Sequence, residues 1–310
     1  MLNLGAIVGP TAVGKTELSL CIAQELGAEI ISCDSTQVYR GMDIGTAKAT
    51  LSEREMVAHH LIDIKNPDQY FSVADYQRKA KQIIRHLNEK NILPILVGGT
   101  GLYYQAVVDN YVFYPLETKH AIKDKWKKII NEKGLEYAYE YLKQIDPEYA
   151  IAISGNDQRR IVRAIEVYEL TNKPFSSMQE KKINTYNLAS IGLNMNRTEL
   201  YSRINKRVLH MLNNGLLEEV IKLRKNGYNV DLKSMQSLGY IQVAYYLDGF
   251  LTKEQMIKEI QRETRRFAKR QLTWFRKDKK ITWFELDKNT DKRSLTKKIL
   301  RHMEGQLCIV

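Results

Sequence analysis

Gly9-Pro10-Thr11-Ala12-Val13-Gly14-Lys15-Thr16 is the stretch on which the fold turns. It fits G-x-x-x-x-G-K-[ST], and its flanks supply the context that gives the pattern meaning. Residues 4–8 are an apolar run before it. After it, over residues 16–26, Leu18, Cys21, Ile22 and Leu26 recur at helical spacing. A strand, a glycine-rich turn and a helix in that order point backbone N–H groups and a helix N-terminus at one spot. Lys15 adds a full positive charge there, and the Thr16 hydroxyl can hold a magnesium ion. The loop therefore fits a diphosphate-like group, which by itself does not mean ATP.

Working outward, residues 29–33 form a second apolar run, 75–89 a second long helix and 92–97 a third strand, with Pro94 marking an irregular start. Strand and helix alternating over short connections predict an α/β domain with a parallel sheet. From about residue 116 the pattern changes. A lysine-rich helix around Trp126 covers 119–133, further helices cover 135–145 and 158–170, and Asn172-Lys173-Pro174 ends the last. Residues 190–195 return the chain to the sheet, and helices follow at 200–225 and 253–275. The expected architecture is an α/β, P-loop NTPase-like parallel sheet core flanked by helices, built from 1–114 and 191–310. A mainly helical insertion domain covers 115–190.

The 310 residues are 44% hydrophobic and 27% charged, the composition of an ordinary globular protein. No run of about 18 apolar residues occurs, so no membrane span is expected. The N-terminal run reads as a strand and not as a secretion leader. Cys21, Cys33 and Cys308 have no paired spacing, which argues against disulfides or a zinc ribbon and for a reducing, cytoplasmic setting. The net charge of +12 is unevenly placed. Residues 1–115 carry 10 Lys and Arg against 12 Asp and Glu, and 116–310 carry 38 against 24. That asymmetry fits a catalytic part and a part that meets a polyanion; solvated lysine-rich helices would give the same count.

Several residues carry candidate chemistry. Asp34 directly follows the second apolar run, where the carboxyl ends of parallel strands face a ligand crevice, and it could serve there as a base or as an acceptor for an amine. A turn or cap is the bland alternative. The third strand ends in Gly98-Gly99-Thr100-Gly101, without the acidic strand end expected of an NTPase metal site. Asn156-Asp157-Gln158-Arg159-Arg160-Ile161-Val162-Arg163 opens a helix with three arginines near its N-terminus. Cations are poorly placed there unless an external anion joins them. Arg203 and Arg207 are four apart and share a helix face suited to bidentate phosphate contact. Residues 264–276 are the densest basic stretch, with Arg262, Arg266 and Arg270 in line along one face and an apolar back, the footprint of nucleic-acid binding.

Together these residues resemble the tRNA dimethylallyltransferases, also called tRNA isopentenyltransferases, of bacterial type. The matching motifs are GPTAVGKTEL (9–18), DSTQVYRGMDIGTAK (34–48), HHLID (59–63), FSVADY (71–76), GGTGLY (98–103), NDQRRIVRAIEV (156–167), SLGY (237–240) and TRRFAKRQLTWFR (264–276). They occur in family order across residues 4 to about 285. Ala49 departs from the family's usual Pro after the T-A-K turn, and Cys308 alone makes no zinc ligand set.

The resemblance implies transfer of a dimethylallyl group from dimethylallyl diphosphate to the exocyclic amine of adenosine 37 of tRNA, with Mg2+ as cofactor. It assigns the diphosphate to Gly9, Pro10, Thr11, Ala12, Val13, Gly14, Lys15 and Thr16 with Arg203. It assigns the reaction to Asp34, Lys15, Thr16, Arg207 and Thr100, and the metal to Thr16. The tRNA anticodon stem-loop would meet Asp34, Ser35, Thr36, Gln37, Thr100, Lys123, Gln158, Arg159, Arg160, Ile161, Val162, Arg163, Gln236, Gly239 and Tyr240. The chain is expected to be a monomer with no membrane partner. An adenylate isopentenyltransferase acting on free nucleotide, a P-loop small-molecule kinase and a pure RNA-binding protein are the alternatives. The basic downstream segment favours an RNA acceptor, and the absent acidic strand end counts against a kinase.

Overall fold

An apolar run at residues 4–8 makes most of β1 (Leu2–Val8), and it is buried along its length because both faces of the strand are covered there. Its side chains alternate between two cores. Leu4, Ala6 and Val8 enter one cluster, and Ile7 enters the other. The computed structural model describes residues 1–113, 120–178 and 185–308. After β1 come α1 (Lys15–Glu25), β2 (Glu29–Cys33), α2 (Leu51–Met56), β3 (His59–His60), α3 (Val73–Glu89), β4 (Pro94–Gly98) and α4 (Gly101–Val108). Then follow α5 (His120–Lys133), α6 (Leu135–Ile145), α7 (Pro147–Ala152) and α8 (Gln158–Thr171). The chain continues through β5 (Tyr186–Met195), α9 (Arg197–Asn213), α10 (Leu216–Lys225), α11 (Tyr240–Leu247), α12 (Lys253–Phe275), β6 (Ile281–Leu286) and α13 (Lys292–Leu307).

The strands form one six-stranded sheet in the order β3-β2-β4-β1-β5-β6, with every pairing parallel. β1 lies inside the sheet, bonded to β4 on one side and β5 on the other. The loop after β1 therefore opens at the carboxyl edge beside the ends of β2 and β4, where ligands of open parallel sheets bind. Pro94 is the first residue of β4, a position at which its missing N–H does least harm to the ladder. α3 and α12 begin with capping boxes, Ser72 with Asp75 and Thr252 with Gln255. α1 differs: Gly14 at its N-cap (φ 108°) offers no side-chain cap, so its first N–H groups stay open.

The chain divides into two units, Met1–Val108 with Asn184–Val310, and Asp109–Ile183. The second has its own core, in which Trp126, Ile130, Leu142, Ile161 and Ile165 are buried. Two expectations need correction. The insertion does not run to residue 190: β5 already pairs with β1 from Tyr186, opposite Leu2, so 186–190 belong to the sheet. The single helix expected over 200–225 is two, because Gly215 adopts φ 95° between α9 and α10. The start of the expected helix at Lys119 and the boundary at Pro115 lie outside the described residues. Among the described residues no helix is long and apolar enough to cross a membrane.

Candidate active site

The phosphate-type loop is held open by close packing. Gly9 lies so near β5 that a Cβ there would stand 2.6 Å from the Leu193 carbonyl oxygen. Ala12 takes the left-handed conformation at φ 66°, a strained choice for a residue with a side chain and a recurrent one at ligand clamps. Pro10 and Val13 are buried and shape the loop. Lys15 folds back so that its Nζ donates to the carbonyls of Gly9 (2.9 Å) and Pro10 (2.7 Å). Burial, and then Arg207 beside it, pull the Lys15 pKa down to about 7, with Asp34 opposing. Arg207 is itself lowered by burial and supported by Asp34. Arg203, one turn earlier on α9, lies over the loop: its Nη1 would be 3.9 Å from a Cβ on Gly14. It also lies 3.7 Å from the Glu199 carboxylate.

Lys15, Arg203 and Arg207 line one cavity of about 380 Å³, with Thr16, Asp34, Gln37, Gly99 and Gln271 among its walls. This volume is within the range of small-molecule sites. Asp34 Oδ1 accepts from the Thr36 N–H (2.8 Å), the Thr36 hydroxyl (2.6 Å) and the Gln37 N–H (3.4 Å). Its Oδ2 has no partner among the described residues. The Ser35 N–H donates to Thr100 Oγ1 (3.1 Å), which ties the end of β2 to the turn after β4. Gln37 is committed to the fold: it accepts from Ser32 (2.8 Å) and donates to the carbonyls of Thr46 and Ala47 (3.3 Å each). Cys33, next to Asp34, is a buried thiol pushed up to about 12 by its surroundings, which keeps it neutral and unreactive.

The turn at residues 42–48, to which spacing alone assigned no role, is built by a distant carboxylate. Glu219 on α10 accepts from the N–H groups of Asp43 (2.9 Å), Ile44 (2.8 Å) and Gly45 (3.2 Å) and from the Tyr240 hydroxyl (2.7 Å). Lys48 is buried and donates to Tyr39 O (2.8 Å), to Asp63 (2.6 Å) and to Asp43; Arg54 joins Asp63 at 2.7 Å. Desolvation works against the Asp63 carboxylate, but its bonds to Lys48 and Arg54 win and hold it below the usual carboxylate range.

Tyr240 is therefore corrected from an expected RNA contact to a packing residue. It is fully buried, its ring stacks on Gly45 with no room for a Cβ there, and burial plus Glu219 keep its phenol protonated. Gly239 is buried at the start of α11, and Gln236 is exposed with its amide bonded to Val230 O (3.2 Å).

In the helical unit, Lys123 is exposed on α5, and Gln158, Arg159, Arg160 and Arg163 are exposed on α8. Asp157 caps α8 and pairs with Arg160 at 3.2 Å; Arg163 pairs with Glu166 at 2.8 Å. Arg159 has no carboxylate in reach among the described residues. Ile161 and Val162 are corrected: both are buried in the core of this unit and offer no side chain to RNA. Their signal was present in the sequence, since 161, 162 and 165 share one apolar face at helical spacing. The basic stretch of α12 is also less open than its density suggests. Arg262 and Arg266 bond to Glu259 and Glu263, and Arg265 donates to Asn205 (2.7 Å).

No group of three or more His, Cys, Asp or Glu side chains suited to a metal occurs among the described residues. The donor set present, the exposed Thr16 hydroxyl at the open start of α1, fits a magnesium ion that keeps its waters and takes its remaining ligands from substrate phosphates. Sequence reasoning missed Gln271, Glu219 and Lys48. Gln271 stood inside a quoted motif, but nothing in its spacing marks it.

Comparison with known proteins identifies the family of the chain. Over 310 residues the chain is 56% identical to the tRNA dimethylallyltransferase of Syntrophomonas wolfei, covering all of both chains. It is 47% identical to that of Thermoanaerobacter sp. over 99% of each. The solved tRNA isopentenylpyrophosphate transferase of Bacillus halodurans superimposes with a TM-score of 0.73 at 43% identity, covering 99% of this chain and 98% of that one. A eukaryotic dimethylallyltransferase acting on tRNA superimposes with a TM-score of 0.77 at 26% identity, over 95% and 78%. A family model described as IPP transferase matches residues 37–278. On its motifs, its sheet and these matches, the chain belongs to the IPP transferase family.

Proposed function

We propose that the protein transfers the dimethylallyl group of dimethylallyl diphosphate to the exocyclic amine (N6) of the adenosine at position 37 of tRNA, next to the anticodon, giving N6-dimethylallyladenosine. The observation that carries this reading is the facing of Lys15 and Arg207 by Asp34 across one cavity: paired cations for a departing diphosphate, and a carboxylate for the attacking amine. The family's named relatives support the same reaction.

The diphosphate rests on the loop amides and the uncapped start of α1. Lys15 leaves the Gly9 and Pro10 carbonyls for phosphate oxygens, and Arg207 and Arg203 reach the same anion. As the allylic C–O bond breaks, its electron pair goes to the diphosphate, and these cations stabilise the growing charge. Asp34, anchored through Oδ1, presents Oδ2 to the amine and takes its proton as the C–N bond forms. Thr100 Oγ1 already accepts from Ser35, so its hydroxyl proton is left to donate to the base. A magnesium ion at the Thr16 hydroxyl would supply further positive charge to the diphosphate.

An adenosine reaches this cavity only if it leaves the stack of its loop. The exposed arginines of α8 support an RNA acceptor over a free nucleotide, since a nucleotide needs no wide basic surface. An RNA substrate implies a cytoplasmic setting. Labelled dimethylallyl diphosphate, magnesium and bulk tRNA should yield label in RNA that digests to the modified adenosine. Transfer to AMP with none to tRNA would overturn the reading in favour of the nucleotide enzyme.

A further inference from the structure

Three parts of the cavity come from distant stretches of chain, and α12 reaches all of them. One side chain joins two of these parts directly. Gln271 Oε1 accepts from the Thr11 N–H of the phosphate-type loop at 2.9 Å, and its Nε2 donates to the Gly99 carbonyl, in the turn after β4, at 3.0 Å. The residue is 6% exposed. The joint has no slack: a Cβ on Gly99 would stand 2.1 Å from Nε2, and one on Gly101 would stand 2.2 Å from the Trp274 ring, one turn further along α12. The third part is α9. Gln261 donates to the Asn205 carbonyl (3.3 Å) and Arg265 to its side chain (2.7 Å), midway between Arg203 and Arg207. The joint needs an acceptor and a donor on one short planar group, and a primary amide supplies both.

Thr11 belongs to the part that holds the diphosphate, and Gly99 precedes Thr100, whose hydroxyl in turn holds the Asp34 turn through Ser35. We propose that Gln271 is a positioning residue for the transfer, setting the distance between the loop that carries the allylic donor and the turn that receives the amine. The inference rests on the function proposed above. Bringing two reactants into line is worth large rate factors, and a misplacement of about 1 Å costs about 10²-fold. Loss of the joint should therefore lower turnover while leaving each substrate's own contacts in place.

Gln271→Met keeps the length of the side chain and removes both hydrogen bonds. The measurement is kcat and KM for dimethylallyl diphosphate and for tRNA, with the Kd for inorganic diphosphate. The expected result is a fall in kcat approaching 10²-fold, with both KM values and the Kd within about threefold of wild type. Turnover within threefold of wild type would overturn the proposal. So would a parallel loss of kcat and diphosphate affinity, which marks a ligand contact or a general support of the fold.

Should Gln271→Met fail to fold, Gly99→Ala tests the same joint, since its Cβ must displace Nε2. It should give the same split of kcat from KM, and unchanged kcat would overturn the proposal. Where both variants fold, the double variant should lose no more than either alone, because they break one interaction; full additivity would count against it. Wild-type chain in the same assay separates the two ideas. No transfer by wild type overturns the functional reading and this proposal with it, whereas equal transfer by wild type and variants overturns the positioning role alone.

Discussion

The cavity at the strand ends and the start of α8 both gather cations, and they hold them in opposite ways. In the cavity, Lys15 and Arg207 are half-buried beside one another, and burial lowers both: Lys15 sits near 7 and Arg207 below its usual range. On α8, Gln158, Arg159, Arg160 and Arg163 stand in solvent, with Asp157 and Glu166 as neighbours on the same helix. Desolvated cations in a fixed frame select one compact anion and act strongly on it. Solvated arginines meet a long polyanion by releasing its counterions, with an affinity that depends on salt. Density of basic residues does not distinguish the two. α12 is the richest stretch of all, yet Glu259 and Glu263 neutralise much of it and Gln271 serves the cavity.

Three measurements press on this contrast. Asp34→Ala should lower turnover by about 10³-fold, within the range of lost general-base catalysis, while tRNA retention on filters is unchanged. Equal loss of retention would mean that the cavity, and not α8, anchors the RNA. Replacing Arg159 and Arg160 together by Ala should leave kcat at saturating tRNA within about twofold and lower the slope of log affinity against log salt by about 1.5, whereas the paired Arg262 and Arg266 replaced together should change the slope by less than half as much. A reversed ranking would show that α12 is the RNA face.

The smallest effect is in protons. A lysine near 7 is mostly neutral at pH 8, and a bound diphosphate returns it to the charged form. Calorimetry in buffers of differing ionisation enthalpy should therefore show uptake of close to one proton on diphosphate binding at pH 8 and almost none at pH 6, where the ammonium is already charged. Equal uptake at both would remove Lys15 from the site.

Much of this is legible in the sequence. The strand–loop–helix at residues 4–26 announced the parallel sheet and the anion loop, because local chemistry there needs no distant partner. α6 and α12 fall at the residues their periodicity predicts. Legibility ended where long-range contacts decide. The turn at 42–48 depends on Glu219, some 175 residues away, and no pattern near either one announces the other. β6 and α13 were not foreseen either, since β6 alternates weakly at the sheet edge. Ile161 and Val162 lie in the core because the helical period separates a buried from an exposed face, a distinction that the family motif over 156–167 does not make.

The hydrogen bond from the Thr11 N–H to Gln271 spans 260 residues, and this sets an order of events during synthesis. The loop on which the fold turns leaves the ribosome well before its partner, which emerges 260 residues later. At ordinary elongation rates that is a wait of roughly 13 to 50 s. β5, whose Leu193 backs Gly9, also arrives late. The nascent chain thus carries its anion loop unfinished until α12 has emerged, and the donor site closes only then.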